Sequence, residues 1–300
     1  MELKHRAGYQ RYETVLGLVQ DEALMDRVFR KHRPHVIFHA AAYKHVPMLE
    51  RNPWQAVQNN IRGCQVVVEK AVEYKVDRFV LVSTDKAVRP TNIMGTSKRI
   101  CELIVRSYFS SDTRIMSVRF GNVVGSSGSV IPLFRDQIER GGPVTVTHPE
   151  VTRFFMTIPE ASQLILQAGA QGEGGETFVL EMGTPIKIVD MARDLIRLSG
   201  LEPDKDIEIR FTGLRQGEKL YEELITEDEG VIPTTHDQIM VLKANGNWDS
   251  LGSQEAFRAR LLGNLEELYN VGSCHDVCAI RANMTKIVPE FNVQDSLCVL

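Results

Sequence analysis

The stretch "RFVLVSTDKAVRPTNIMGTSKRICELIVRSYF" spans residues 78–109, and its reading decides the fold. Residues 78–84 open with an unbroken apolar run, Phe79 to Val82, as expected of a strand buried on both faces. The run ends in the polar group Ser83-Thr84-Asp85-Lys86. Residues 95–109 then read as a helix, and "RIMSVRFGNVVG" (114–125) as the next strand and its loop. Two doubly buried strands joined by a helix imply a parallel crossover.

The same alternation continues upstream. "HVIFHAAA" (His35 to Ala42) reads as a strand opening into a small-residue loop, and residues 52–75 as a long helix. Val15 to Val19 reads as the end of a short strand. Asp21 caps a helix through about Lys31, which Pro34 ends. The fold class is therefore α/β, a doubly wound parallel sheet. Ligands of such sheets bind beyond the carboxyl ends of the strands. Those ends carry Ala40-Ala41-Ala42, Ser83 to Lys86, and Phe120-Gly121-Asn122.

The character changes near residue 128. Residues 126–162 read as loop-rich with short β pieces, followed by a helix from Pro159 to about Gln171. "DMARDLIRLSG" (190–200) and "GEKLYEELI" (217–225) read as helical, and a last helix lies near residues 275–289. The expected organisation is a partial dinucleotide-binding domain over 1–127, mainly a substrate lobe over 128–291 with segments returning to the sheet, and a tail over 292–300.

Composition narrows the function classes. The chain has 300 residues, 43% hydrophobic and 25% charged, as in ordinary globular proteins. A net charge of −4 gives no support for a nucleic-acid or membrane-surface role. No run approaches the roughly 18 apolar residues of a membrane span, and the opening "MELKHRAGYQRYE" has no apolar signal region. Five scattered cysteines suit free thiols in a reducing compartment. Cys274-His275-Asp276 with Cys278 lacks a second ligand pair at zinc-like spacing and reads as a helix turn.

Several residues stand out by type. Taken alone, Thr84-Asp85-Lys86 reads as a solvated turn. Met94 and Lys98, four apart, share one helix face. Ala40, Ala41 and Ala42 suit either close approach of a ligand or tight packing. Asn60 is either a tie to the strand-end backbone or a plain polar helix residue. Lys44 and His45 follow the alanines, where a lysine could touch substrate or simply lie on the surface. The serines and glycines of Gly125 to Ser129 also make ordinary loops. Arg153 and Arg215 are the best diphosphate candidates, because guanidinium forks match phosphate oxygens.

Five segments in order resemble one family closely: "HAAAYKHVPMLERNP", "VSTDKAVRPTNIMGTSK", "SVRFGNVVGSSGSVIPLF", "VTRFFMTIPEAS" and "GEKLYEELI". Over about residues 14–291 the chain is similar to the CapD-like polysaccharide-biosynthesis proteins, UDP-N-acetylglucosamine 4,6-dehydratases of the extended short-chain dehydrogenase superfamily. Such enzymes pair Tyr-x-x-x-Lys on a helix. Here the tyrosine position is Met94, as in the long, membrane-anchored branch. The Gly-x-x-Gly-x-x-Gly loop that meets the dinucleotide pyrophosphate and the membrane helices of that branch do not occur in these 300 residues. The chain therefore reads as an N-terminally truncated member.

The resemblance implies NAD as cofactor, with NADP possible, and a UDP-sugar as substrate. It implies that Thr84 meets the oxygen on C4 and that Asp85, protonated, is the acid for the C6 hydroxyl. Lys86, its pKa lowered by burial, would take the C5 proton. Lys98 would hold the nicotinamide ribose while Met94 packs beside it. Ala40, Ala41, Ala42 and Asn60 would serve the cofactor. Lys44, Asn122, Ser126, Ser129, Arg153, Arg215 and Glu218 would serve the substrate, with Lys219 in support. Neither a metal nor a nucleic acid is expected. A homo-oligomer would pair through helices near residues 54–74 and 96–109. The location would be cytoplasmic, or the cytoplasmic face of the inner membrane. The alternatives are a remnant that binds UDP-sugar or joins an intact subunit, and a 4-epimerase.

Overall fold

The computed structural model describes residues 12–109, 111–226, 229–243 and 253–291; the expected tail over 292–300 lies outside them. The first helix, α1 (Glu22–His32), begins where the sequence places it, with the Asp21 carboxylate accepting from Leu24 N at 2.9 Å. It ends at Arg33 in the left-handed region, one residue before Pro34. Val15 to Val19 forms no strand.

Three parallel strands follow in adjacent positions: β1 (Val36–His39), β2 (Arg78–Val82) and β3 (Arg114–Arg119). A short helix, α2 (Val46–Arg51), precedes the long helical connection from β1 to β2. That connection comprises α3 (Pro53–Gln55), a π-helical stretch Ala56–Arg62, and α4 (Gly63–Glu73). The connection from β2 to β3 is α5 (Ile93–Ser107).

The second half contains α6 (Val130–Glu139), α7 (Ile158–Gln171) and α8 (Ile188–Leu198), with the short strands β4 (Asn122–Val123), β5 (Val144–Val146), β6 (Thr152–Arg153), β7 (Phe155–Met156), β9 (Ile186–Lys187) and β10 (Ile209–Phe211). Helix α6 lies inside the stretch expected to be loop-rich. Its Phe134 and Ile138 pack with Val144, Ile188 and Ala192 in a hydrophobic core of their own. The stretch 217–225, expected as a helix, is irregular. Gly217 there has φ +72°, and an added Cβ would sit 2.7 Å from Asn92 Cβ, so only glycine fits.

Three strands return to the sheet: β8 (Thr177–Leu180), β11 (Val231–Pro233) and β12 (Ile239–Leu242), in the order β1-β2-β3-β8-β12-β11. β8 is parallel to β3, whereas β12 is antiparallel to β8, so the sheet is mixed at this edge. Along β2 and β3 the side chains alternate between two cores. Phe79, Leu81 and Ile115 face α4 and α5, while Val80, Met116 and Val118 meet Ala161, Leu164 and Ala168 of α7.

Two helices absent from the sequence reading as a pair, α9 (Gln254–Ser273) and α10 (Val277–Ile287), close the first of these cores. Leu261, Leu265, Leu268, Ile280 and Met284 pack with Val57, Ile61, Val67 and Ile104. Part of the surface of the helices expected to pair subunits is thus covered by the chain itself. Glu50 joins the same contact. Its carboxylate accepts from Ile93 N at 2.6 Å and from Arg281 Nη2 at 2.6 Å.

A buried ion cluster lies behind the strand ends. Glu102 of α5 accepts two hydrogen bonds from Arg119 of β3, each 2.8 Å, one from the Ser83 hydroxyl at 2.6 Å and one from Arg99 at 3.1 Å. Arg119 also donates to Glu229 at 3.0 Å. Cys64, Cys101 and Cys274 are free thiols. Cys278 is disulfide-bonded, against the expectation of thiols throughout. Among the described residues no helix is long and apolar enough to cross a membrane.

Candidate active site

A cavity of about 520 Å³ opens at the carboxyl ends of β1, β2 and β3. The loop after β2 is pinned to the neighbouring strand: Ser83 N donates to Val118 O at 2.8 Å and Asp85 N to Phe120 O at 3.1 Å. Thr84 then starts a single 3-10 turn, Asp85–Ala87, which turns the next two side chains into the cavity.

Asp85 is fully buried. Its Oδ1 accepts from the Thr84 hydroxyl at 2.8 Å and from Lys86 Nζ at 3.1 Å, and its Oδ2 accepts no hydrogen bond from a donor among the described residues. Lys86 Nζ also donates to Asn122 Oδ1 at 3.2 Å and contacts Glu222 Oε1 at 2.7 Å. All three ammonium protons thus have an acceptor. Glu222 is buried as well, with Oε1 3.0 Å from Arg153 Nε and Oε2 accepting from Asn122 Nδ2 at 2.9 Å.

The protonation states follow from these contacts. Burial raises the Asp85 pKa, and the neighbouring Glu222 carboxylate adds to it against the pull of Lys86, leaving a value of about 7. Burial would also raise Glu222, but Lys86 and Arg153 overcome it and hold the carboxylate at about 2. For Lys86, burial works downward, yet Asp85 and Glu222 outweigh it and the pKa is raised. The lowered lysine expected from sequence is therefore corrected. Two carboxylates, one of them far along the chain, keep the ammonium charged.

Met94 and Lys98 line the cavity from the first turns of α5, both buried. Lys98 Nζ makes no hydrogen bond or ion pair to the described residues. Burial, followed by the Lys98 charge, depresses nearby His39 to about 3, so its ring is neutral. Asn60, in the π-helical stretch, accepts from Tyr43 N at 2.8 Å and donates to Tyr43 O and Ser97 Oγ, each at 3.0 Å. It thereby ties the loop after β1 to α5. Ala40 and Ala42 line the cavity; Ala41 is exposed and does not.

The far wall holds Lys44, Asn122, Ser126, Ser129, Arg153, Arg215, Glu218 and Lys219. Burial and the charge of Lys86 lower the Lys44 pKa. Ser129 Oγ is buried without a partner. The two arginines differ. Arg153 donates to the carbonyls of Thr152 and Leu220 and to Glu218 at 3.2 Å, besides its contact with Glu222, so most of its fork is engaged. The Arg215 guanidinium is exposed at the rim and has no side-chain hydrogen bond or ion pair to the described residues. Gly217 O accepts from Thr91 Oγ1 at 2.9 Å and Asn92 Nδ2 at 3.0 Å, which docks the 215–226 loop on the start of α5.

Glu222 is the residue the sequence reading missed. Its signal was the acidic pair Glu218 and Glu222, four apart in a segment carrying Arg215 and Lys219.

A family model described as polysaccharide biosynthesis protein matches residues 1–244. The capsular polysaccharide biosynthesis protein CapD of Staphylococcus aureus is 57% identical over 217 residues, 72% of this chain and 36% of its own length. The chain thus spans little more than a third of that relative. The X-ray structure of Pen from Bacillus thuringiensis superimposes with a TM-score of 0.73 at 34% identity, over 87% of this chain and 84% of that one. DesIV from Streptomyces venezuelae, a dTDP-glucose 4,6-dehydratase solved with NAD, shares the fold at a TM-score of 0.63 and 22% identity, over 70% of this chain and 69% of its own.

Proposed function

The chain belongs to the polysaccharide biosynthesis protein family, and from that premise we propose that its cavity is the active site of a nucleotide-sugar 4,6-dehydratase. The substrate is a UDP-N-acetylhexosamine, UDP-N-acetylglucosamine first, and the product a 4-keto-6-deoxy sugar nucleotide for surface polysaccharide. The observation that carries the reading is the buried Asp85-Lys86-Glu222 cluster at the end of β2, beside a helix that offers Met94 where a proton-carrying phenol would stand.

The cavity fits a dinucleotide at its nicotinamide end. Lys98 presents an ammonium without acceptors to the cavity, and Ala40 and Ala42 leave the strand end open. A bound NAD would supply the redox chemistry, hydride exchange with the sugar carbons. Lys98 binds the ribose hydroxyls beside it.

The remaining chemistry is proton transfer. Two protons leave the sugar, from the C4 hydroxyl and from C5. Two are delivered, one to the departing C6 hydroxyl as water and one back to C5. Thr84 Oγ1 orients the oxygen on C4. Asp85, with a pKa of about 7, is present in both forms near neutrality and takes the C5 proton as carboxylate. Lys86, held as ammonium, donates to the C6 oxygen. Asp85 then returns a proton to C5 as hydride reaches C6, and the proton lost by Lys86 is replaced by the one released from the C4 hydroxyl, relayed through solvent beside Thr84. This division of labour reverses the one the family resemblance implied. Arg215 and the serines at 126 and 129 hold the diphosphate.

A 4-epimerase needs neither loss of the C6 hydroxyl nor a paired acid and base, and Met94 supplies no exchangeable proton. The test is incubation with UDP-N-acetylglucosamine and NAD in deuterated water, followed by mass spectrometry and NMR. A product one water lighter, deuterated at C5, is expected. An isomeric product of unchanged mass would replace the dehydratase with an epimerase.

A further inference from the structure

Glu222 has no counterpart among the residues assigned to the reaction. Its contact with Lys86, 2.7 Å, is shorter than the 3.1 Å that Lys86 makes to Asp85. Its carboxylate meets Lys86, Arg153, Asn122 and Asp85, all of which line the cavity. The loop that carries it is anchored without it, through Gly217 O on Thr91 and Asn92 and through Lys219 Nζ on Val88 O at 2.9 Å. A buried carboxylate is costly unless it is fully paired, and this one is spent wholly on the proton-transfer groups.

We propose that Glu222 is a positioning residue for proton transfer, holding the Lys86 ammonium in a contact shared with Asp85, so that one cation serves two carboxylates and Asp85 keeps an exchangeable proton. The proposal rests on the dehydratase reading for the identity of the reaction but not for the clamp itself. Oε1 contacts the same Lys86 ammonium that Asp85 Oδ1 accepts from, and Oε2 is fixed by Asn122, which also accepts from Lys86. Arg153 ties the same carboxylate to Glu218, so the clamp belongs to the wall that meets the substrate. The charged groups facing the cluster are Lys44 from the loop after β1, Arg153 from β6 (Thr152–Arg153) and Glu218 from the 215–226 loop. Lys98 faces the same cavity from α5.

The experiment reads the pair without substrate. Aspartate carboxyls labelled with carbon-13 are titrated by NMR in the parent chain and in Glu222→Gln, with the Asp85 resonance assigned by its loss in Asp85→Asn. Removing the Glu222 charge favours ionised Asp85, so its midpoint should fall by about one pH unit or more. Glu222→Asp, which holds the charge one methylene back, should give a smaller fall, and it serves in place of the glutamine variant if that protein does not fold. The acid limb of the kcat/KM profile should move with the midpoint, while KM changes less than about threefold. An unmoved Asp85 midpoint in both variants overturns the clamp. A parent chain that shows the shift but makes no 4-keto product overturns the dehydratase reading and leaves the clamp standing.

Discussion

Two buried clusters of charge lie on either side of Ser83, and they are built from the same residue types. In the one behind the sheet, Glu102 accepts from Arg119 twice, from Ser83 and from Arg99, and Arg119 finds a second carboxylate in Glu229. In the one facing the cavity, Asp85 Oδ2 accepts no hydrogen bond from a donor among the described residues, and the two carboxylates Asp85 and Glu222 divide one ammonium. The electrostatic outcomes diverge accordingly. Burial pushes Glu102 up, but Arg119 and Arg99 prevail and hold it at about 2, whereas burial and Glu222 prevail at Asp85 and hold it at about 7. Saturated pairing makes a charge permanent, and incomplete pairing makes it exchangeable. Only the second cluster can move a proton near neutrality.

The largest expected effect falls on the saturated cluster. Glu102→Ala leaves the buried Arg119 with Glu229 as its one remaining carboxylate among the described residues and Ser83 without its acceptor, and should cost about 3–5 kcal/mol of unfolding free energy in urea titration. A loss below about 1 kcal/mol would show that the cluster is not the closed structural pair described above. Asp85→Asn should do the opposite, slowing 4-keto product formation by roughly 10²- to 10⁴-fold while leaving the fold intact.

The two clusters also oppose each other in pH. Glu102 has a depressed pKa, so its stabilisation is present above the unfolded value and is lost as pH falls toward about 2. Asp85 has a raised pKa, so its contribution is fully present below the unfolded value and is lost as pH rises through about 7. Asparagine mimics the protonated form. Asp85→Asn should therefore match the parent in stability near pH 4 and exceed it near pH 8, by about 1–3 kcal/mol. Equal curves at both pH values would show that Asp85 ionises as readily folded as unfolded.

Smaller effects sharpen the contrast within the site. Arg215, with a free fork at the rim, should raise KM for the UDP-sugar by about 10- to 100-fold on change to alanine, with little loss in kcat. The smallest effect is expected at Met94. Met94→Tyr faces the cavity rather than the closed core and should keep product formation within about tenfold of the parent, a barrier change below roughly 1.4 kcal/mol. A hundredfold collapse in a folded variant would show that the thioether does more than pack.

Local signals made most of the first half legible. The runs Phe79 to Leu81 and Ile115 to Val118 are buried on both faces, the first as its apolar continuity implies, and Asp21 caps α1 as its position suggests. Asn60 reaches the strand-end backbone through Tyr43. What remained hidden depends on contacts between distant segments. Helix α6 sits between glycine-rich turns with Pro132 in its first turn, and it is held by the core it shares with Val144, Ile188 and Ala192 rather than by its own pattern. Residues 217–225 have helical spacing of charges, but the left-handed Gly217 and its docking on Asn92 direct the chain elsewhere. The state of Lys86 was unreadable because its decisive neighbour, Glu222, comes from that loop.

The contact between Glu50 and Arg281 has a consequence for synthesis. Glu50 binds the backbone at Ile93, the first residue of the helix that carries Met94 and Lys98, yet Arg281 lies 231 residues beyond it. At roughly 5–20 residues per second a ribosome needs about 10–50 s to deliver that arginine. Until then the Glu50 carboxylate waits without its counter-charge, and the apolar side of α4 and α5 waits without α9 and α10. The helix behind the cavity is thus translated well before the contact that completes it.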